Sequence, residues 1–423
     1  MISRTGLSVT AALLVFSAIA CNKKEARPSP TSEHAAVPTL SAAAAAEEPP
    51  VYTKDILAPV YHVDRIYKSM TGPQSTSDFY LVDAKNPELM WIVGFEAIMV
   101  EPDGKTQASQ EWMCHTNLDI NPTEHNRAFG GSKRLSGRLF TLSQGQYRID
   151  MPKGFGIPIL SSELMSLNTQ VLNLNMQKGE KDVRHRVYVR FVRDADLKRP
   201  YRALFPAGAY GLKLLRGKDG VFGGEEAMGD MASPDKGGHD MSRHEGHDMS
   251  GHGASCLPGA NASTNEFGDG KGRAFTGHWV VKPGREQNHT RVTDIMDLPF
   301  DTTLHYVAVH LHPFAESLEL KDLTAGTTIY KAFTQQADKG IGLNRVDFMS
   351  SEEGIPLVKG HEYEMVSIYN NTTDKDQDSM AVMNLYLLDK EFQKPDLAKV
   401  KAQLTEKDKE GEKDDKKKSG KLL

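Results

Sequence analysis

Short runs of β-branched and aromatic residues, each closed by Gly, Pro, Asn or Asp, recur along most of this chain. They include WIVGFEAIMV (91–100), QEWMCHTNLDI (110–120), TQVLNLN (169–175), VRHRVYVRFV (183–192), HYVAVHLH (305–312), YEMVSIY (363–369) and MAVMNLYLL (380–388). Runs of this length and alternation read as strands, and few segments carry the 3.6-residue period of a helix. The pattern predicts an all-β protein of the jelly-roll β-sandwich class. A stretch rich in Gly, Ser and Asp from Gly217 to Gly272 cannot build a core, and it divides the strand runs into two groups. The expectation is two tandem sandwiches, at 52–204 and 274–392, joined by a flexible His/Met-rich insertion at 205–273.

The ends read differently. MISRTGLSVTAALLVFSAIAC has Arg4 ahead of an apolar run and small residues leading into Cys21, the layout of an export signal over 1–21. Its close, Ala18-Ile19-Ala20-Cys21, resembles the bacterial lipobox, which implies acylation of Cys21 and membrane attachment through that lipid alone. Asn22 in the next position points to the outer membrane, facing the periplasm or the cell surface. Residues 22–51 are rich in Ala, Pro and Glu and read as a disordered tether, and residues 393–423 as a charged disordered tail. A formal net charge of −5 provides no basic footprint for nucleic acid. Once Cys21 is assigned, Cys114 and Cys256 remain, and an oxidising exterior allows them to form one disulfide.

In VAVHLHPF (307–314), alternation puts His310 and His312 on one face of a strand and Val307, Val309 and Leu311 on the other. Two imidazoles whose backbones are about 7 Å apart can converge on one metal ion, and zinc, copper and iron all accept them. The later strand DSMAVMNLYLLD aligns Met380, Val382, Asn384 and Tyr386 on one face and Ala381, Met383, Leu385 and Leu387 on the other. Within the central insertion, HDMSRH and HDMSGH repeat a unit of nitrogen and thioether donors: His239, Met241, His244, His247, Met249 and His252. Such a pairing suits accessory copper capture, the thioether favouring Cu(I).

The ordered set VHLH, then DSMAVMNLY, resembles the C-terminal domain of the copper type II, ascorbate-dependent monooxygenases, the peptidylglycine alpha-hydroxylating and dopamine beta-monooxygenases. VVKPGREQNHTRVTDI is similar to the family's turn ahead of the histidine strand. The resemblance implies a copper site of His310, His312 and Met380, with Met383 as the fallback thioether, and substrate contacts at Asn384 and Tyr386. It extends to the first half, where Cys114-His115 stands in place of the family's His-His pair and Asn175 in place of a further histidine. Only His115 of that electron-storing site is kept, with His125 and His185 as candidate replacements, and the substrate-binding arginine of the family is Ala308.

These residues support an exported copper monooxygenase that activates dioxygen to hydroxylate a C–H bond of a small-molecule or peptide substrate, drawing electrons from ascorbate or another reductant. The alternative is a non-catalytic copper-handling lipoprotein. A third is a sugar- or peptide-binding module, since fold alone does not determine activity.

Overall fold

The computed structural model describes residues 48–82, 86–129, 133, 135–218, 220–224 and 266–405. The described residues form one compact unit. The chain is all-β and folds as two jelly-roll-type sandwiches that share a sheet. That sheet runs in the order Tyr52–Leu57, Lys181–Arg193, Leu89–Val100, Phe155–Leu160, Arg202–Tyr210, Ala381–Leu388, Thr302–Leu311 and Met349–Leu357. Its two halves join at a short parallel contact, where Arg202 and Ala203 pair with Phe155 and Gly156. Gln74–Phe79, Met165–Val171, Met113–Ile120 and Arg138–Ser143 form the opposing sheet of the first sandwich. The second is closed by Gly284–Arg291, Tyr363–Asn371, Ala315–Asp322, Thr327–Gln336 and Leu343–Val346.

The shared sheet corrects the expected domain boundary. RALFPAGAY (202–210), most of which falls in the expected flexible insertion, is a buried strand paired along Ala381–Leu388. Lys213–Arg216 and Glu266–Gly268 flank Ala274–Thr276 in a small sheet of their own. The expected tail also begins folded: residues 397–405 are helical, and Val400 and Leu404 pack with Trp91 and Leu160. The signal segment, Cys21, Cys256 and the HDMS repeats lie outside the described residues.

Alternation on the Thr302–Leu311 strand has the expected sense. Val307, Val309 and Leu311 enter the second core beside Met383, Leu385 and Leu387, and each such burial contributes about 1.5–3 kcal/mol. The opposite face is also buried, since Tyr306, Ala308 and Tyr386 complete the core of the first sandwich. Hydrogen bonds cross the seam at the same strand. Val309 N–H donates to Gln146 Oε1 at 2.9 Å, Gln146 Nε2 donates to Tyr306 Oη at 3.4 Å, and Tyr386 Oη donates to the Leu139 carbonyl at 2.9 Å. The strand ends in a tight turn at Phe314, whose left-handed φ of 71° is held by Phe314 N–H to Gln336 Oε1 and Asn370 N–H to the Phe314 carbonyl, both 2.8 Å.

His185 is fully buried, with Nδ1 2.8 Å from Thr116 Oγ1 and its ring edge-on to Tyr61. Burial pushes its pKa down from 6.5 to about 3. Between those values the unfolded chain binds a proton that the folded chain refuses, so this contribution is complete above pH 6.5 and is lost as pH falls through the window. The loss is up to about 1.4 kcal/mol per pH unit. Urea unfolding at pH 7 and pH 5 should show a shallower pH dependence for His185→Asn than for the unsubstituted protein. Equal slopes would show that this imidazole is not an acid-labile group.

Candidate metal centre

His310 and His312 lie at the end of the Thr302–Leu311 strand, 5% and 7% exposed, where the seam meets a second short ladder. Their ring centres are 5.3 Å apart at 89°. The strand pairs His310 with Val382 and Leu311 with Ala381, which brings Met380 alongside the histidine pair. Tyr369 ties these elements together: its hydroxyl accepts from His312 N–H at 3.3 Å and donates to the Met380 carbonyl. His312 Nδ1 is 3.3 Å from the Asp378 carbonyl, which selects the tautomer with the proton on Nδ1 and leaves the Nε2 lone pair open. Nε2 itself lies 3.4 Å from Ser69 Oγ.

A cavity of about 10 Å³ adjoins this cluster, lined by His115, Asn117, Arg138, Tyr210, His310, Met380 and Asn384 among others. That is room for about one water or one ion. His310 Nδ1, Asn384 Nδ2 and Asn117 Oδ1 are buried without a hydrogen-bond partner, and so is His278 Nε2 close by. Each such group costs roughly 1–3 kcal/mol if nothing satisfies it. Arg138 supplies a cation beside the cavity, and it is paired with buried Asp119.

The imidazoles are poised as neutral donors. Burial pushes His278 down to about 3, with the charge of His312 adding to it. Burial, then Arg138 and the neighbouring histidines, pushes His115 to about 3. His310 is held well below its usual range by burial and by His312, His115, His278 and Arg138. His312 is lowered by burial, with the Asp378 carbonyl opposing. Among the described residues no group of three or more His, Cys, Asp or Glu side chains stands where it could hold a metal ion. The grouping here is of imidazoles turned edge to face beside a thioether.

The sequence-derived site residues divide clearly. Met380 lines the cavity and is itself buried in a small core with Tyr210, Leu212, Phe275 and Val382, whereas the fallback Met383 is buried in the second core. His115 belongs to the same cavity as His310 and Met380, so the expected separate first site is replaced by one shared space. His125 pairs with Glu163 at 2.8 Å and lines a different cavity, of about 400 Å³, that shares no residue with the small one. His185 lies against Thr116, and Asn175 donates to Glu111 Oε2 and the Ile341 carbonyl, so neither extends the centre. Asn384 borders the cavity. Tyr386 does not: fully buried and stacked on Phe140, it is a seam residue, which corrects its expected role as a substrate contact.

Cys114 is a buried free thiol, pushed up to about 11 by burial and held against the Met70 amide and Ser69. Regular alternation would turn it away from the histidines. The ladder shifts register between Met113 and His115, however, and Ser69 is shared between Cys114 and His312. His278 is the residue that sequence reasoning missed. Its only local signal is a position next to a short strand; the ladder to residues 377–379 is what brings it to the site.

No protein family model matches this chain, and no curated protein matches it. Solved structures overlay it weakly. The major capsid protein P2 of bacteriophage PM2 is 6% identical, spanning 79% of this chain and 99% of that one, with a TM-score of 0.26. A peptide-N(4)-(N-acetyl-β-D-glucosaminyl) asparagine amidase is 9% identical, spanning 82% and 99%, with a TM-score of 0.31. The all-β, tandem-sandwich assignment rests on the strand ladders themselves.

Proposed function

We propose that this chain is a copper-binding protein whose centre is His310, His312 and Met380, and that it holds the ion in a closed site between its two sandwiches. One observation carries the reading: His310 and Met380 line a buried space of about 10 Å³, room for a single ion, and the ring centre of His312 stands 5.3 Å from that of His310. Unpartnered His310 Nδ1 in that setting is a group in need of a ligand. The donors carry no charge and include soft sulfur, a combination that favours Cu(I) over harder dications. When bound, copper supplies one-electron redox chemistry and the capacity to activate dioxygen. The residues position and shield it: Tyr369 clamps both donor segments, the Asp378 carbonyl sets the His312 tautomer, and Tyr210 and Val382 wall off water. The HDMS repeats at 239–252 extend the same donor chemistry to a capture segment, and the lipobox-like Cys21 fits placement at a membrane surface outside the cytoplasm.

The second reading is a copper- and ascorbate-dependent monooxygenase. It is favoured by the register that pairs the H-x-H strand with Ala381–Leu388, the strand that follows D-S-M directly in the chain. It requires a substrate C–H bond to approach the ion, and the small cavity and Ala308, packed in the first core, favour holding over hydroxylation. Copper loading, removal of excess metal, metal analysis, and oxygen uptake with ascorbate and a panel of peptides and aromatic amines separate the two. About one copper per chain is expected at the centre, with more if the HDMS repeats stay loaded, and no substrate-dependent oxygen uptake. Substrate-dependent uptake would establish the second reading, and a protein that retains no copper would end both.

A further inference from the structure

We infer that His278 is a third imidazole donor at this centre, so that the ion is held by His278, His310, His312 and Met380. The inference rests on the copper-binding reading and adds a ligand that the sequence resemblance does not imply.

Trp279 pairs with Ser379 in an antiparallel ladder, fixed further by Ser379 Oγ donating to the Trp279 carbonyl at 2.8 Å. The ladder ends at that pair, and His278 and Met380 are the next residues beyond it on the two segments, so both leave the ladder at the same end. The His278 ring centre is 5.9 Å from that of His312, which is itself 5.3 Å from His310. Two imidazoles bound to one tetrahedral ion through nitrogens about 2.0–2.1 Å away hold their ring centres roughly 5 Å apart. The observed ring spacings are close to that value, but as the side chains stand no three of these groups among the described residues could hold an ion, so binding requires the rings to turn about the broad χ2 torsion of histidine and bring nitrogens inward.

His278 Nε2 is buried and has no hydrogen-bond partner, although the backbone on either side is well tied. Its own N–H takes Thr276 Oγ1 at 3.1 Å, and Thr276 Oγ1 donates to the His278 carbonyl at 2.8 Å. The ring is therefore held on an anchored loop beside His312, with one buried nitrogen left over. Three imidazoles and a thioether complete four uncharged donors, suited to a monovalent ion whose burial costs less than that of a dication.

X-ray absorption of the copper-loaded full-length protein, with a Cu(I) affinity titration on the same preparations, tests this. To keep the HDMS repeats from contributing, their six His and Met residues are replaced by Ser in every sample. The parent protein is expected to show three nitrogens and one sulfur. His278→Ala and His278→Gln are expected to show two nitrogens and one sulfur, with affinity lowered at least tenfold, the lower end of what loss of even an outer partner costs. Two nitrogens in the parent, or unchanged coordination and affinity in both variants, would overturn the assignment of His278 and leave the copper centre standing. No bound copper in the parent would overturn the centre and His278 with it. The nitrogen count of the parent decides the matter even if both variants fail to fold.

Discussion

A His310→Ala, His312→Ala protein is expected to keep its fold and lose its copper. The two substitutions remove side chains from a buried position, which ordinarily leaves a destabilising cavity. Here they also remove His310 Nδ1, a buried nitrogen without a partner, whose unsatisfied burial costs about 1–3 kcal/mol. The two effects oppose each other, so the melting temperature should move by only a few degrees. Copper binding has no such compensation. Loss of two donors from a site of three or four should remove several kcal/mol of binding free energy, roughly a thousandfold or more in affinity. Metal analysis after gel filtration, on protein with the HDMS repeats replaced, checks the first quantity, and circular dichroism melting the second. Copper content equal to that of the unsubstituted protein would show that the ion sits elsewhere.

The second large effect is expected at Tyr386. Its ring fills the seam against Phe140 and Tyr306, with centroids 5.6 and 5.8 Å away, and its hydroxyl reaches the Leu139 carbonyl. Tyr386→Ala should lower unfolding stability by about 3–5 kcal/mol through the cavity it leaves. Tyr386→Phe keeps the ring and loses one buried hydrogen bond, so about 1 kcal/mol is expected. Urea unfolding followed by tryptophan fluorescence measures both. If Tyr386→Phe left stability untouched while weakening substrate-dependent oxygen uptake, the residue would be a substrate contact after all, and its assignment to the seam would fail.

Legibility of this protein varied with the range of the interaction concerned. The strand at 302–311 was readable because side-chain alternation is a property of the backbone of that strand alone: Val307, Val309 and Leu311 had to share a face, and His310 and His312 the other. The same reasoning put Met380 and Met383 on opposite faces, and the structure has them in two different cores, with Met380 also lining the cavity. Alternation failed at Cys114, where a register shift interrupts the ladder. It also failed to signal that Arg202–Tyr210 is a strand: its Ala, Gly and Pro content resembles linker, and pairing with Ala381–Leu388 and Phe155–Leu160 makes it part of a sheet.

By itself, then, the sequence determined the all-β character, the two-sandwich division and the common face of His310 and His312, because each follows from local periodicity and composition. Tertiary structure decided that the sandwiches share one sheet, that Tyr386 fills a seam, that His115 joins the cavity of His310 and Met380, and that the His278 ring stands beside that of His312. These depend on the register between strands distant in the chain. Register is set by the packing of whole faces against one another, and no single strand contains that information.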